Sequence, residues 1–238
     1  MKILAIGNSF SQDATRYLQS VAKSAGEDLF VRNLYIGGCS LARHAENVKT
    51  GEAAYAYEED AKRICDISVT DALKAEKWDF VTIQQASRVS GVIESYEPHM
   101  SELIAHIREN APQAAIAFHR TWQYEKNSTN PRFSDYGCDE NKMFECIVNA
   151  TTEATRRYGI EIIKSGDAIH RAVKLPEFDP EQGGVSVYRD GFHLGLTYGR
   201  YLASLVWFEF FTGRSAKDVT FAPDGTDPKL IEVLKELA

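Results

Sequence analysis

Long hydrophobic runs are missing from this chain of 238 residues. A helix that spans a membrane needs roughly 18 or more apolar residues in a row. The longest apolar candidate, residues 201–211, is interrupted by Ser204 and Glu209. We also expect no secretory leader, because Met1 runs directly into the first apolar segment with no basic region ahead of it. We therefore expect a cytoplasmic protein that has no membrane partner.

Basic residues are fewer than acidic residues in this chain. The chain has 27 Lys and Arg residues against 34 Asp and Glu residues, which is a formal net charge of -7. Proteins that bind nucleic acids hold the phosphates with a surplus of basic side chains. We therefore expect no nucleic-acid partner.

Paired cysteines and glycine-rich phosphate loops are also missing. No two of the four cysteines form a C-x-x-C pair, so no zinc site is predicted. The chain lacks both the G-x-G-x-x-G pattern and the P-loop that bind nucleotide phosphates. We predict no metal ion and no cofactor, and we expect the cysteines to be free thiols.

The chain does contain short apolar segments that alternate with amphipathic ones. This alternation predicts an α/β fold, a three-layer α/β/α sandwich with a five-stranded parallel sheet of flavodoxin-like topology. Polar residues 43–66 interrupt the alternation and are expected to form helix and loop over a sheet edge. No repeat or linker divides the chain, so residues 1–238 are predicted to form one domain. The predicted strands are residues 3–6, 30–36, 78–83, 114–118 and 160–163.

The first predicted strand ends in Gly7-Asn8-Ser9, and a helical pattern starts at Asp13. Ser9 therefore lies in a strand-to-helix turn, at the sheet edge where α/β proteins bind ligands. The N–H groups of the opening helix turn face the same space. A simpler interpretation is that Ser9 or Ser11 is only a helix N-cap.

Two further strand ends carry candidate binding groups at the same edge. Gly37-Gly38 follows the second strand, where it would allow close backbone approach to a ligand or form an ordinary turn. Gln84, Gln85 and Ser87 follow the third strand. Their amide and hydroxyl groups can donate hydrogen bonds to an oxyanion or a sugar, although such residues are also common in surface loops.

Trp122 follows the fourth strand. Its ring, like that of Tyr124 two residues later, could stack on a sugar or an acyl group, or could serve only in packing. The polar residues 126–137 that come next predict a loop, and a lid over the site is one interpretation of it.

Asp190 and His193 lie three residues apart, just before an apolar closing helix. This spacing allows the carboxylate to accept a hydrogen bond from Nδ1 of the imidazole while Nε2 faces a nucleophile. Each residue alone has common structural roles in turns and packing. Together with Ser9 they predict a triad in which Ser9 is the nucleophile, His193 its base and Asp190 the group that orients the imidazole.

These segments resemble the conserved blocks of the SGNH/GDSL hydrolase superfamily. Gly7-Asn8-Ser9-Phe10-Ser11 resembles the G-D-S block, with Asn in place of Asp. Gly38 lies where the oxyanion glycine of that superfamily follows the second strand. Asp190-Gly191-Phe192-His193 matches the D-x-x-H block.

The third block departs from the superfamily pattern. The usual G-x-N-D is replaced by Gln84-Gln85-Ala86-Ser87-Arg88, which contains no Asn. The resemblance implies that the N–H groups of Ser9 and Gly38 hold the oxyanion, with Gln85 or Ser87 as the third donor. Gln84, Ser87 and Trp122 are the further candidates for substrate contact.

The Q-rich third block resembles a subgroup that includes carbohydrate acetylesterases and uncharacterised bacterial proteins. The resemblance implies a serine ester hydrolase that deacylates a small-molecule ester such as an acetylated sugar. Two alternatives stay open. One is an SGNH-like protein that binds glycans without cleaving them, and the other is a flavodoxin-like module that binds a phosphate or nucleotide, which would have no use for Asp190 and His193.

Overall fold

A single sheet of seven strands forms the centre of the protein, and the structure, a computed structural model, describes residues 1–238. In space the strands follow the order β4-β3-β2-β1-β5-β6-β7. The strands β2, β1, β5, β6 and β7 run parallel, whereas β3 is antiparallel to both β2 and β4. The strands are β1 Lys2–Gly7, β2 Phe30–Tyr35, β3 Tyr55–Glu59, β4 Lys62–Ile67, β5 Phe80–Ile83, β6 Ala115–His119 and β7 Glu161–Ile163.

The prediction of a five-stranded parallel sheet is wrong in the number of strands. The five predicted strands are present and parallel, but residues 43–66 also contain the β3–β4 hairpin, which makes the sheet mixed. Strand β4 is mostly exposed, so its sequence lacks the apolar pattern of a buried strand. Its turn, Asp60-Ala61, has φ angles of 49° and 60°. Such turns usually contain glycine, and the missing glycine removed the signal for a hairpin.

Helices cover both faces of the sheet and form its two outer layers. Side chains alternate along β1, so that Ile3 and Ala5 pack in one core and Leu4 and Ile6 in the other. The helices are α1 Ser9–Thr15, α2 Leu18–Ser24, α3 Leu41–Thr50, α4 Val69–Ala75, α5 His99–Asn110, α6 Glu140–Arg156, α7 Ser165–Ala172, α8 Tyr198–Thr212 and α9 Pro228–Leu237. Side chains of α1, α2, α7, α8 and α9 line the first core, and those of α3, α4, α5 and α6 line the second.

Helix α8 is apolar on most sides, and most of its residues are buried, as expected for a helix in a protein core. No helix of the protein combines the length and the apolar character needed to cross a membrane.

The chain reverses its direction of travel across the sheet at β1. From β1 it first moves outward to β2, and it later returns to pair β5 against the opposite side of β1. In open α/β sheets the crevice at such a switch point, outside the carboxyl ends of the strands, is where ligands bind. Ser9 lies at the end of β1, at this crevice.

Candidate active site

Asn8 forms the turn that presents Ser9. It is the N-cap of α1, and its Oδ1 atom accepts a hydrogen bond from the Phe10 N–H at 2.9 Å. The same oxygen accepts from Gln84 Nε2 at 2.8 Å, and Asn8 Nδ2 donates to the Cys39 carbonyl at 2.9 Å. The buried Asn8 side chain thus ties together the segments that follow β1, β2 and β5. The interpretation of Ser9 as a mere cap is wrong, because Asn8 caps the helix and the Ser9 hydroxyl makes no capping bond.

The hydroxyl of Ser9, the imidazole of His193 and the carboxylate of Asp190 form a continuous series of hydrogen bonds. Ser9 Oγ lies 2.9 Å from His193 Nε2, and His193 Nδ1 lies 2.7 Å from Asp190 Oδ2. The other carboxylate oxygen accepts from the backbone N–H of His193 at 2.8 Å. Gly191, between them, has a φ of 83°, a conformation that favours glycine. The structure therefore brings the three predicted triad residues into contact.

Hydrogen bonds from His193 keep the Asp190 carboxyl ionised. Partial burial acts to raise the pKa of Asp190, but hydrogen bonds from the side chain and backbone N–H of His193 outweigh it. The pKa of the Asp190 carboxyl is therefore below its usual value, and the group is ionised at neutral pH. A carboxylate at Nδ1 places the ring proton on that nitrogen, which leaves Nε2 as an acceptor for the Ser9 proton.

A buried carboxylate fixes the His193 segment to the helix that carries Ser9. Asp13, on α1, has no solvent exposure. Its carboxylate accepts hydrogen bonds from Arg189 Nη1 at 3.0 Å, Arg200 Nε at 2.7 Å and the Leu194 N–H at 3.0 Å. These donors flank residues 190–193 in sequence. We call this set of four residues the Asp13 clamp.

Two backbone N–H groups are available for an oxyanion. Ser9 is the first residue of α1, and an N–H in that position has no partner within its helix. The N–H of Gly38 has no backbone acceptor, and the φ of Gly38 is 62°. Both residues line the same cleft. The predicted position of Gly38 beside Ser9 is therefore present in the structure.

The two glutamines of the third block do not face the cleft. Gln85 Nε2 donates to the carbonyl and the hydroxyl of Ser95, each at 3.0 Å, while its Oε1 accepts from the backbone N–H groups of Leu41 and Ala86. The prediction of Gln85 as an oxyanion donor is wrong because its donor atom is directed to Ser95. Gln84 is buried behind the turn and bonded to Asn8, so its predicted contact with substrate is wrong as well.

Of the two remaining candidates for substrate contact, Ser87 lies at the cleft and Trp122 does not. Ser87 lines the cleft, with its Oγ 3.1 Å from the hydroxyl of Tyr124. Trp122 is fully buried, stacks on Phe10 with ring centroids 4.3 Å apart, and donates from Nε1 to the Phe192 carbonyl. Trp122 therefore supports the site from within the core, and its predicted stacking on a substrate is wrong.

The cleft has a volume of about 350 Å³. Sequence reasoning missed Tyr35 and Arg132 among its lining residues, because neither belongs to a recognised block. Residues 126–137 contain a short 3-10 helix, Pro131–Tyr136, whose Phe133 side chain is buried, so this segment forms a wall of the cleft. The lining residues are Asn8, Ser9, Phe10, Tyr35, Gly37, Gly38, Ala86, Ser87, Arg88, Tyr124, Asn130, Arg132, Phe192 and His193.

Comparisons with known proteins identify the family of this chain. A family model described as a domain of unknown function, DUF4886, matches residues 2–238. The crystal structure of a DUF4886 family protein from Bacteroides uniformis is 38% identical to this chain, covers 100% of it and 92% of the other chain, and superposes with a TM-score of 0.91. No curated protein matches the chain in sequence.

More distant structures share the fold. A candidate SGNH hydrolase from Slackia heliotrinireducens is 24% identical, with 89% of this chain and 98% of the other covered and a TM-score of 0.61. An acetyl xylan esterase is 13% identical, with 87% of this chain and 98% of the other covered and a TM-score of 0.57. At these identities the similarity establishes a common fold with SGNH-type structures.

Proposed function

We propose that this chain, which belongs to the DUF4886 family, is a serine ester hydrolase with Ser9, His193 and Asp190 as its catalytic triad. The observation that carries the proposal is the unbroken series of hydrogen bonds among these three side chains at the switch point of the sheet. A hydroxyl, an imidazole and a carboxylate in this order are the parts that acyl transfer requires. A glycan-binding protein or a nucleotide-binding module has no need of them.

In the proposed reaction, Ser9 Oγ attacks the ester carbonyl and its proton passes to His193 Nε2. Asp190 stabilises the imidazolium that forms. The N–H groups of Ser9 and Gly38 hold the oxyanion, and the Ser87 hydroxyl is the third donor because it lines the cleft while Gln85 does not. His193 then protonates the departing alcohol, which leaves an acyl group on Ser9. A water molecule that gives its proton to His193 releases the acid and restores the Ser9 hydroxyl.

The cleft suits a small ester. Its volume of about 350 Å³ lies at the lower end of the range of small-molecule sites. Tyr35 and Phe192, which are partly exposed, supply aromatic surface for a sugar ring, the contact that Trp122 does not make. The fold shared with an acetyl xylan esterase supports a short acyl group on a carbohydrate. The proposed substrate is therefore an acetylated or similarly acylated sugar.

The decisive experiment removes the Ser9 hydroxyl. We expect Ser9→Ala to lower kcat for 4-nitrophenyl acetate by about 10⁴-fold or more, because a triad without its nucleophile retains only residual activity. Ser20→Ala is the control, since Ser20 lies on α2 outside the cleft and should leave kcat unchanged. Circular dichroism and thermal melting check that both variants are folded. Hydrolysis by Ser9→Ala at the wild-type rate would end the proposal.

A further inference from the structure

The cleft is lined by positive charge in a protein that is negative as a whole. Arg88 and Arg132 are among its lining residues, and no Asp or Glu is. The net charge of the chain is -7. A cleft walled by charge of one sign raises the local concentration of ligands of the other sign. The charge of the side chains that line the cleft is therefore opposite in sign to the net charge of the chain.

Arg88 has no carboxylate partner, and the carboxylate that pairs with Arg132 is exposed to solvent. Arg88 Nη1 donates to the Gly38 carbonyl at 3.3 Å, and Arg88 is in no ion pair. Arg132 lies 3.7 Å from Asp135, and the two side chains are 62% and 51% exposed, respectively. Exposed pairs at such a distance contribute little free energy. Most of the hydrogen-bonding capacity of both guanidinium groups is free for a ligand.

The two arginines are held on one wall by the backbone that carries them. Arg88 belongs to the 3-10 helix Ser87–Val89, and Arg132 to the 3-10 helix Pro131–Tyr136. Tyr136 joins the two segments, because its hydroxyl accepts from the Gly91 N–H at 3.2 Å and donates to the Arg88 carbonyl at 3.5 Å. The backbone positions that carry the two arginines are therefore fixed relative to each other by the fold.

Both charges act on the hydroxyl of Tyr124, which lies between their segments in the cleft. Burial raises the pKa of Tyr124. The hydrogen bond with Ser87 and the positive charges of Arg88 and Arg132 oppose that rise, whereas the negative charge of Asp135 adds to it. Arg88 also lies next to Gly38, whose N–H is a proposed oxyanion donor, since a Cβ on Gly38 would be 3.7 Å from Arg88 Nη1. An anionic group bound here would be part of the same molecule as the ester at Ser9.

We propose that the substrate ester carries an anionic group, a carboxylate or a similar oxyanion, that Arg88 and Arg132 bind. This inference rests on the proposed function, because it places the charge on the substrate of the same site. Guanidinium groups suit the task because their planar fork matches the two oxygens of a carboxylate. The anion can belong to the alcohol part, as in an acylated uronic acid, or to the acyl part, as in a half-ester of a dicarboxylic acid.

Two pairs of substrates test the proposal and separate these sources. The alcohol pair is acetylated galacturonic acid and its neutral methyl ester. The acyl pair is mono(4-nitrophenyl) glutarate and its neutral methyl ester. We expect the wild-type protein to prefer the anionic member of one pair by about tenfold or more in kcat/KM, as expected for hydrogen bonds to a charged group. The preference should weaken in high salt, because the arginines are exposed.

Variants identify the residues responsible. In the double variant Arg88→Gln, Arg132→Gln the ratio of kcat/KM between the anionic and the neutral member should fall toward one. The control Arg157→Gln removes an exposed arginine at the end of α6, outside the cleft, and should leave the ratio unchanged. Equal use of both members in both pairs, or a preference that survives the double variant, would overturn the inference while leaving the esterase proposal intact.

A binding measurement tests the anionic site independently of ester hydrolysis. Calorimetric titration of the Ser9→Ala protein should show tighter binding of the anionic member of the preferred pair than of its methyl ester, and the difference should vanish when Arg88 and Arg132 are also replaced by Gln. If none of the four esters is hydrolysed, the proposed function fails. Equal affinities in both pairs would then refute the anionic site as well, and unequal affinities would support it.

Discussion

At the scale of single residues, Asn8 is the side chain on which the geometry of the nucleophile turn depends most. It accepts hydrogen bonds from Phe10 and Gln84 and donates one to Cys39. An ordinary N-cap makes only the first kind of bond. The additional bonds join the turn that holds Ser9 to the segment that holds Gly38, so the proposed nucleophile and the proposed oxyanion donor are positioned by one amide.

The prediction at this scale concerns stability. We expect Asn8→Ala to lower the free energy of unfolding by about 2 kcal/mol or more, because it removes a cap and leaves buried polar groups without partners. The control Asp227→Ala removes only the exposed N-cap of α9 and should cost about 1 kcal/mol. Urea denaturation measures both. Equal losses would mean that the bonds to Gln84 and Cys39 contribute nothing.

The residues of the site differ in how far they could be found from sequence. Ser9, Asp190 and His193 lie in short local patterns, a strand-to-helix turn and an Asp-x-x-His spacing, that are typical of catalytic residues. The sequence alone therefore predicts them. The direction of the Gln85 amide depends on Leu41, 44 residues away, and on Ser95, 10 residues away across a loop. No local pattern reports such a contact, and this is why Gln85 was misassigned.

At the scale of elements, the Asp13 clamp connects α1 to the segment before α8. The triad depends on a histidine and a serine that are 184 residues apart in sequence. The Asp13 carboxylate bonds to Arg189, Leu194 and Arg200, on both sides of His193. The clamp therefore fixes the relative position of the two segments directly beside these groups, in addition to the packing of α1 against α8.

We expect Asp13→Asn to lower kcat for 4-nitrophenyl acetate by about tenfold or more, since small displacements of catalytic groups are costly. KM should change less, because Asp13 does not line the cleft. The variant should also lose stability, by about 3–5 kcal/mol, since two arginines lose a buried partner. Kinetics are measured at a temperature at which circular dichroism shows a folded protein. An unchanged kcat in folded Asp13→Asn would show that the clamp is purely structural.

The β3–β4 hairpin marks the limit of sequence reasoning at the scale of elements. Short apolar segments predict the five parallel strands, and the alternation of these segments with helical patterns predicts that the strands run parallel. The hairpin is an edge element with an exposed outer strand, and its formation depends on pairing with β2. Tertiary contact, rather than local preference, makes these residues strands.

At the scale of the whole molecule, two buried histidines tie the stability of the fold to pH. His44 and His119 are completely buried, and burial lowers the pKa of each from 6.5 to about 3. Both are therefore neutral in the folded protein at pH 5, whereas the unfolded chain binds protons there. The unfolded state takes up more protons, so stability must fall as the pH drops from about 6.5 toward 3.

Each of the two histidines should cost about 2 kcal/mol of stability at pH 5, since a shift of one pKa unit corresponds to about 1.4 kcal/mol. We expect His119→Gln to flatten the decline of the unfolding free energy between pH 6.5 and 4.5, because Gln has no proton to gain. Above pH 7 the profiles of the variant and the wild type should run parallel. Urea denaturation over this pH range is the measurement, and an equally steep decline in the variant would contradict the assignment.

The central claim is that the Ser9 hydroxyl is an activated nucleophile, and the most direct measurement of it is covalent labelling with a fluorophosphonate, followed by mass spectrometry of the peptides. We predict a single adduct on Ser9 in the wild-type protein and none in folded His193→Ala, because the hydroxyl is activated by the imidazole. A folded wild-type protein without an adduct on Ser9, or equal labelling of Ser9 in His193→Ala, would contradict the claim.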